Sequence, residues 1–326
     1  MDNLGQVRVS VVIPTRNRSD VLDECLERLG LEADRSEIFA EALVVDTSTE
    51  ATNISLNCHP YLRVRYRYDG DKPFSLIYAR NVGLREATAD IVAYIDDDSF
   101  VLPGWLEALV EPYQDPRTIA TGGRVIYHPW SSPKVGEPVA ILDLERDRIR
   151  GEWDRLVPAP VSISHLQGCN FSVRKPLALE IGGFDPAFTG SANLEETDFF
   201  VRLGRLPGRI VFHPGAVVEH RAAPRADGIE RTLSNYTYRK SAVRNRLYLL
   251  RKHASRRSVL YGLYRQLKDL AAGIVKLVVA TIVFTAASLV GIFEGLCTPV
   301  RSPKLRKKTS QGTSGVEGIG KSVSNQ

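Results

Sequence analysis

An apolar run of strand character, Ile91-Val92-Ala93-Tyr94-Ile95, stops abruptly in three adjacent carboxylates, Asp96-Asp97-Asp98. Carboxylates this crowded raise one another's pKa unless a cation sits among them. A divalent metal site at the carboxyl end of a buried strand satisfies both observations, because open α/β sheets bind their ligands there. A solvated acidic turn is the bland alternative, and the flanking segments decide between the two.

Those segments alternate between strand and helix. Val7–Ile13 is a β-branched apolar run closed by Pro14-Thr15-Arg16-Asn17-Arg18. Val21, Leu22, Cys25, Leu26 and Leu29 then share one helical face, and Gly30 is expected to end that helix. Ala42–Val45 predicts a second buried strand stopping at Asp46, and Leu62–Tyr68 alternates like a strand nearer an edge. Pro73–Ala87 predicts a helix entered through Ser75, with Ile91–Ile95 as the next strand. This alternation implies an α/β fold, Rossmann-like, with a mostly parallel sheet and helices on both faces. No Gly-x-Gly-x-x-Gly follows the first strand, which argues against a dinucleotide oxidoreductase and a Walker-type phosphate loop. Arginine just beyond the strand end still suits a phosphate-bearing ligand.

Charge divides the chain. Residues 1–225 carry 25 Lys+Arg against 33 Asp+Glu, a net −8, while residues 226–326 carry 18 against 5, a net +13. A basic tail on an acidic body points to an anionic membrane surface or nucleic acid as the tail's partner. Cys25, Cys58, Cys169 and Cys297 lie far apart, which argues against a zinc knuckle or redox pair and fits a reducing compartment. The first residues lack a basic and an apolar region, so no secretory signal is expected and the body should stay in the cytoplasm.

Taken together, Val11-Val12-Ile13-Pro14-Thr15-Arg16-Asn17-Arg18, Val44-Val45-Asp46, Ala79-Arg80-Asn81-Val82-Gly83-Leu84 and Ile95-Asp96-Asp97-Asp98 resemble a family 2 glycosyltransferase with a GT-A fold. Gly182-Gly183-Phe184-Asp185, Glu195-Glu196-Thr197-Asp198-Phe199 and Val217-Val218-Glu219-His220 are similar to the same family's second half. The resemblance runs over roughly residues 7–222. It implies a catalytic domain at 1–225, with a nucleotide-sugar half about 7–125 and an acceptor half about 126–225.

Sugar transfer from a nucleotide donor requires the leaving diphosphate's growing charge to be neutralised, which Mg²⁺ or Mn²⁺ does well. The resemblance implies Asp98 as direct metal ligand, Asp96 at the ribose and metal shell, and His220 as a further ligand. Asp97, in the same nucleotide-sugar site, supports these or faces solvent. Pro14, Thr15 and Arg16 would wall the nucleotide pocket, Asp46 would meet the base, and Arg80 would reach the base or diphosphate. Thr47-Ser48-Thr49 replaces the second acid or Gly-Ser that many relatives carry after Asp46, leaving the base open. In the acceptor half a carboxylate must take a proton from the attacking hydroxyl. Glu196 matches the position of that base, with Glu195 and Asp198 binding acceptor or ordering the site. As read from position alone, acids in a helix's first turn are dipole partners. Gly182-Gly183-Phe184 would turn beneath the acceptor, Trp105 would pack, and Gly122-Gly123-Arg124 and Trp130 are candidates for an acceptor loop. The resemblance favours single in-line displacement with inversion.

Residues 235–268 carry ten Lys/Arg and no acid, interleaved with Leu and Tyr, which reads as basic amphipathic helices over 226–268 suited to anionic lipid. An apolar membrane segment is expected over 269–297, its uncharged stretch Leu277–Phe293 being at the short limit for a span, and a disordered basic tail over 298–326. Spanning and interfacial placement stay open. The sequence therefore predicts an enzyme at the cytoplasmic face of the cell (inner) membrane, acting on a glycan or lipid-linked acceptor. An inactive sugar-nucleotide-binding membrane protein is the alternative, and nucleic-acid binding by the tail is the weaker third reading.

Overall fold

The computed structural model describes residues 8–54, 59–70, 75–223, 235–274 and 278–300. The first half runs β1 (Val9–Thr15), α1 (Ser19–Ser36), β2 (Ala40–Asp46), β3 (Leu62–Tyr68), α2 (Leu76–Glu86), β4 (Ile91–Tyr94), β5 (Ser99–Val101) and α3 (Trp105–Val110). There follow β6 (Thr118–His128), a hairpin of β7 (Ala140–Asp143) and β8 (Arg148–Gly151), β9 (Val161–Ile163), β10 (Phe171–Arg174), α4 (Lys175–Glu180), α5 (Glu195–Leu203) and β11 (Arg209–Arg221). Three helices close the described chain: α6 (Tyr236–His253), α7 (Arg256–Ile274) and α8 (Val278–Cys297).

One sheet carries nine of the strands in the order β3-β2-β1-β4-β10-β6-β11-β5, with β9 paired to β11. The expected parallel run is present from β3 through β4. The far half is mixed, because β10 enters antiparallel between β4 and β6 while β6 and β11 pair parallel. Helices cover both faces. On β2, Leu43 and Val45 cluster with Ala79 and Val82 of α2, whereas their alternates Ala42 and Val44 join the core containing Leu22, Cys25, Leu26 and Leu29 of α1. Side chains two apart share a face of a strand, so this alternation puts α1 and α2 on opposite sides.

The parallel register matters for the site. Thr15 pairs with Asp46, and Val12 with Tyr94, so β1, β2 and β4 deliver Thr15, Asp46 and the three aspartates to one edge. Ser75 caps α2 as expected, accepting from the Tyr78 N–H at 3.2 Å.

Two expectations are corrected. Gly30 does not end α1, which continues to Ser36. The glycine is there for close approach: a Cβ would overlap the His59 ring, which is held by Asp34 and Glu27. The basic helices are also not a peripheral layer. Tyr248 and Leu249 of α6 belong to the main core, and its Val243 and Leu247 cluster with Ile292 of α8. Among the described residues no helix is long and apolar enough to cross a membrane. Leu277 and the tail beyond Val300 lie outside the described residues. Helix α8 also makes polar contacts with α6. Arg239 donates to Ser288 and stacks on Phe284, Lys240 pairs with Glu294, and a Cβ on Gly291 would overlap the Lys240 carbonyl oxygen.

Candidate active site

The three aspartates do unequal work. Asp97 was expected to support its neighbours or face solvent, and it does not face solvent. It is buried, accepting from the Thr15 hydroxyl and from Arg18 Nη1, both at 2.8 Å. Burial, then the adjacent Asp98, push its carboxyl up to about 7, against the opposing pull of Arg18 and Thr15. Asp98 offers Oδ2 to Arg18 Nη1 and to the Ala223 N–H, each at 3.1 Å. Its Oδ1 lies 3.4 Å from His220 Nε2. Asp96 is the most exposed of the three, with its side chain 24% exposed.

Strand β11 completes this corner. Its pairing with β5 sets His220 against Ser99, immediately after the aspartates. Ligand atoms of Asp96, Cys169 and His220 lie within 4.8 Å of one another, Cys169 entering from the turn before β10. The carboxylate and imidazole are donors that a divalent cation accepts, with the buried Cys169 thiol beside them. Asp98 Oδ1 faces the same imidazole.

The ends of β1 and β2 lie beside this corner. Pro14 and Thr15 are buried at the end of β1, and Arg16 donates to the Thr47 carbonyl oxygen at 2.7 Å. The Asp46 carboxylate is fully buried and both oxygens are engaged. Oδ1 accepts from the Ser48 N–H and hydroxyl, and Oδ2 from the Thr52 N–H and, at 2.6 Å, from the Tyr66 hydroxyl. Asp46 therefore holds the loop after β2 in shape.

Arg80 occupies the centre, and its side chain is only 2% exposed. Instead of reaching outward, its guanidinium joins Glu195 Oε1 at 2.8 Å, Asp96 Oδ1 at 3.2 Å and the Gly168 carbonyl oxygen at 2.7 Å. One buried cation thus ties the aspartate corner to the start of α5. Glu195 is buried against it, and burial and the neighbouring Glu196 raise its pKa well above the usual range while Arg80 opposes them. Glu196 is half-buried beside this pair. Asp198 is fully buried, with Arg202 Nε at 2.8 Å, Lys252 Nζ at 2.6 Å and His253 Nε2 at 2.7 Å.

Aromatic packing explains why α5 starts here. Phe199 stacks on Phe184 with ring centroids 4.6 Å apart, and Phe171 stacks on Tyr94 at 4.8 Å. Burying these rings draws α5 against β4 and β10, which sets Glu195 and Glu196 beside the end of β4. The turn beneath has Gly182 and Gly183 at φ +83° and +69°, where a side chain is strained, and Asn81 brackets Phe184 with two 2.8 Å hydrogen bonds. Trp105 packs, fully buried, with its indole N–H on Asn170. Gly122 and Gly123 lie within β6, not in a loop, while Trp130 is exposed.

The model of glycosyl transferase family 2 matches residues 10–176, from β1 through β10. The chain belongs to this family. Like other family 2 glycosyltransferases it is a transferase with a GT-A-like fold. It is 26% identical over 248 residues to the glucosyl-dolichyl phosphate glucuronosyltransferase of Haloferax volcanii, covering 70% of this chain and 77% of that one. With the pre-mycofactocin glycosyltransferase of Mycobacterium tuberculosis it shares 27% over 217 residues, covering 65% of this chain but only 42% of that one. Among solved structures, the mannosyltransferase PcManGT of Pyrobaculum calidifontis, in complex with GDP-Man and Mn²⁺, has TM-score 0.51 at 16% identity, covering 89% of this chain and 87% of that one.

Three residues of this family 2 site escaped the sequence reading. In the sequence Arg18 is one arginine of a motif, Cys169 one of four scattered cysteines and Lys252 one of ten basic residues over 235–268. Spacing carries no signal for contacts across 50 or more residues.

Proposed function

We propose that this glycosyltransferase is metal-dependent and inverting, and moves a sugar from a nucleotide donor to a hydroxyl of a lipid-linked or cell-surface glycan. The observation that carries this reading is the Arg80 bridge, which sets the Asp96 corner and the Glu195-Glu196 helix start on one guanidinium. Asp96, Asp98 and His220, with Cys169 adjoining, would hold the cation. A bound Mn²⁺ or Mg²⁺ supplies Lewis-acid neutralisation of the diphosphate leaving group.

The remaining steps belong to the chain. Pro14, Thr15, Arg16 and the loop shaped by Asp46 form the wall against which the nucleotide lies. Asp97, held by Thr15 and Arg18, keeps the aspartate turn rigid. Glu195 is committed to Arg80, so Glu196 is the carboxylate left to take the proton of the acceptor hydroxyl. As that oxygen bonds to the anomeric carbon, the bond from carbon to the diphosphate oxygen breaks on the opposite face and the configuration inverts. A lipid-linked acceptor is favoured because one relative is named for a dolichyl phosphate substrate.

The cytoplasmic membrane face is the proposed location. Helix α7 exposes Leu260, Tyr261, Tyr264 and Leu267 on one side, beside exposed Arg256, Arg257 and Lys268. Tyrosine and leucine among basic residues suit the interface of an anionic bilayer.

A thermal-shift series with nucleotide-sugars, in Mn²⁺, Mg²⁺ or EDTA, tests the donor site. One donor should raise Tm with metal present, and this gain should vanish in Asp98→Ala. Failure of every donor to stabilise the folded wild type would overturn the donor site.

A further inference from the structure

Helix α6 ends on a buried charge cluster that reaches back to the base-bearing segment. Lys252 Nζ lies 2.7 Å from Asp185 Oδ2 and 2.6 Å from Asp198 Oδ1, with its side chain 5% exposed. Asp185 closes the Gly-Gly-Phe turn, and its Oδ2 also accepts from the Tyr248 hydroxyl at 2.8 Å. Asp198 stands in the first turn of α5, three residues after Glu195 and two after Glu196. His253 adds a second α6 contact to Asp198, and Arg202 braces the same carboxylate from within α5.

A lysine brought into a dry interior loses its hydration, and only well-placed anions offset that cost. Here two carboxylates from separate segments meet the one ammonium. Both segments flank Phe184 and Phe199, which stack on each other behind the catalytic edge. A surface anchor has no use for such a contact. A helix that sets the height and rotation of α5 does.

We infer that Lys252 of α6 is a positioning residue, which clamps Asp185 to Asp198 and thereby fixes the first turn of α5 so that Glu196 meets the acceptor hydroxyl. The inference rests on the reading of Glu196 as base. It makes the C-terminal helical layer part of the catalytic apparatus, in addition to any role at a membrane.

Positioning errors of about 1 Å lower turnover by roughly 100-fold. The test is Lys252→Met in the full chain, with Lys252→Arg as rescue and hydrogen exchange as a readout independent of activity. The expected result is a kcat lower by about 10- to 100-fold, an unchanged KM for the nucleotide-sugar and partial recovery in Lys252→Arg. Amide protection should drop in residues 194–199 and persist in β1, β2 and β4. Should Lys252→Met fail to fold, Asp185→Asn with Tyr248→Phe loosens the same clamp while Asp198 stays paired, and the same kcat loss is expected. Wild-type kcat and unchanged protection of α5 in either folded variant would overturn the inference. Loss of protection in α5 together with an active Glu196→Gln would instead remove the base assignment and leave the clamp standing.

Discussion

At the scale of single residues, neighbours in sequence receive opposite tasks. Glu195 and Glu196 are adjacent and their carboxyls interact with each other, yet only Glu195 is hydrogen-bonded to Arg80. Glu196→Gln should therefore lower kcat by about 10²- to 10⁴-fold, the usual contribution of a general base, while donor KM holds. Steady-state kinetics on both substrates checks this, and equal losses in kcat for Glu195→Gln and Glu196→Gln with intact donor binding would show that the pair acts as a unit. At Asp97, burial and then Asp98 outweigh Arg18 and hold the proton on the carboxyl. Its folded pKa of about 7 exceeds the unfolded value of 3.8, so its ionisation costs stability as pH rises through that window. Asp97→Asn should flatten this dependence, and urea melts from pH 5 to pH 8 would reveal it.

At the scale of elements, the parallel half of the sheet is locked by a buried acid. Glu41 on β2 is fully buried, accepting from the Ser10 hydroxyl, the Thr88 N–H and, at 3.1 and 3.3 Å, from Arg63 and Arg65 of β3. Burial acts to raise its pKa, but the hydroxyl, amide and arginine partners prevail and bring it from 4.5 down to about 2. A depressed carboxylate contributes stability above its unfolded pKa and loses it as pH falls through the folded one. Glu41→Gln should thus cost about 2–3 kcal/mol near neutral pH, with the difference from wild type shrinking between pH 4.5 and pH 2. Denaturant unfolding at several pH values measures it, and a pH-independent difference would mean that lost packing, not charge, is responsible.

At the scale of the whole molecule, the charge asymmetry is sorted by burial. Arg239 and Arg244 of α6 are buried and carry structure, with Arg244 donating to the Ala187 carbonyl oxygen at 2.7 Å, whereas Arg256, Arg257 and Lys268 of α7 remain exposed. The exposed group accompanies the tyrosine and leucine face. Sedimentation with vesicles should show binding to phosphatidylglycerol-containing bilayers that weakens with salt, and little binding to neutral phosphatidylcholine. Leu260→Glu with Tyr264→Glu should abolish this without lowering Tm by more than a few degrees, because both side chains are already in solvent. Equal binding to neutral vesicles would assign attachment to the apolar face alone.

Periodicity and local chemistry were sufficient for much of this protein. The run Val9–Ile13, the Ser75 cap, the alternation in Leu62–Tyr68 and the aspartates after Ile95 are properties of neighbouring residues, and strand and helix obey neighbour rules. The order of the motifs identified the family before any contact was known. Tertiary structure alone decided what each charge touches. Arg80 stands in a motif expected to meet the nucleotide, and nothing near it in sequence shows that Glu195, 115 residues later, is its partner. Lys252 looks solvated until Asp185 and Asp198 are packed against it. Gly30 looks like a helix stop until His59 covers it. The reason is physical: a side chain's hydration, pKa and partners depend on which distant segments exclude water around it, and no local pattern encodes that.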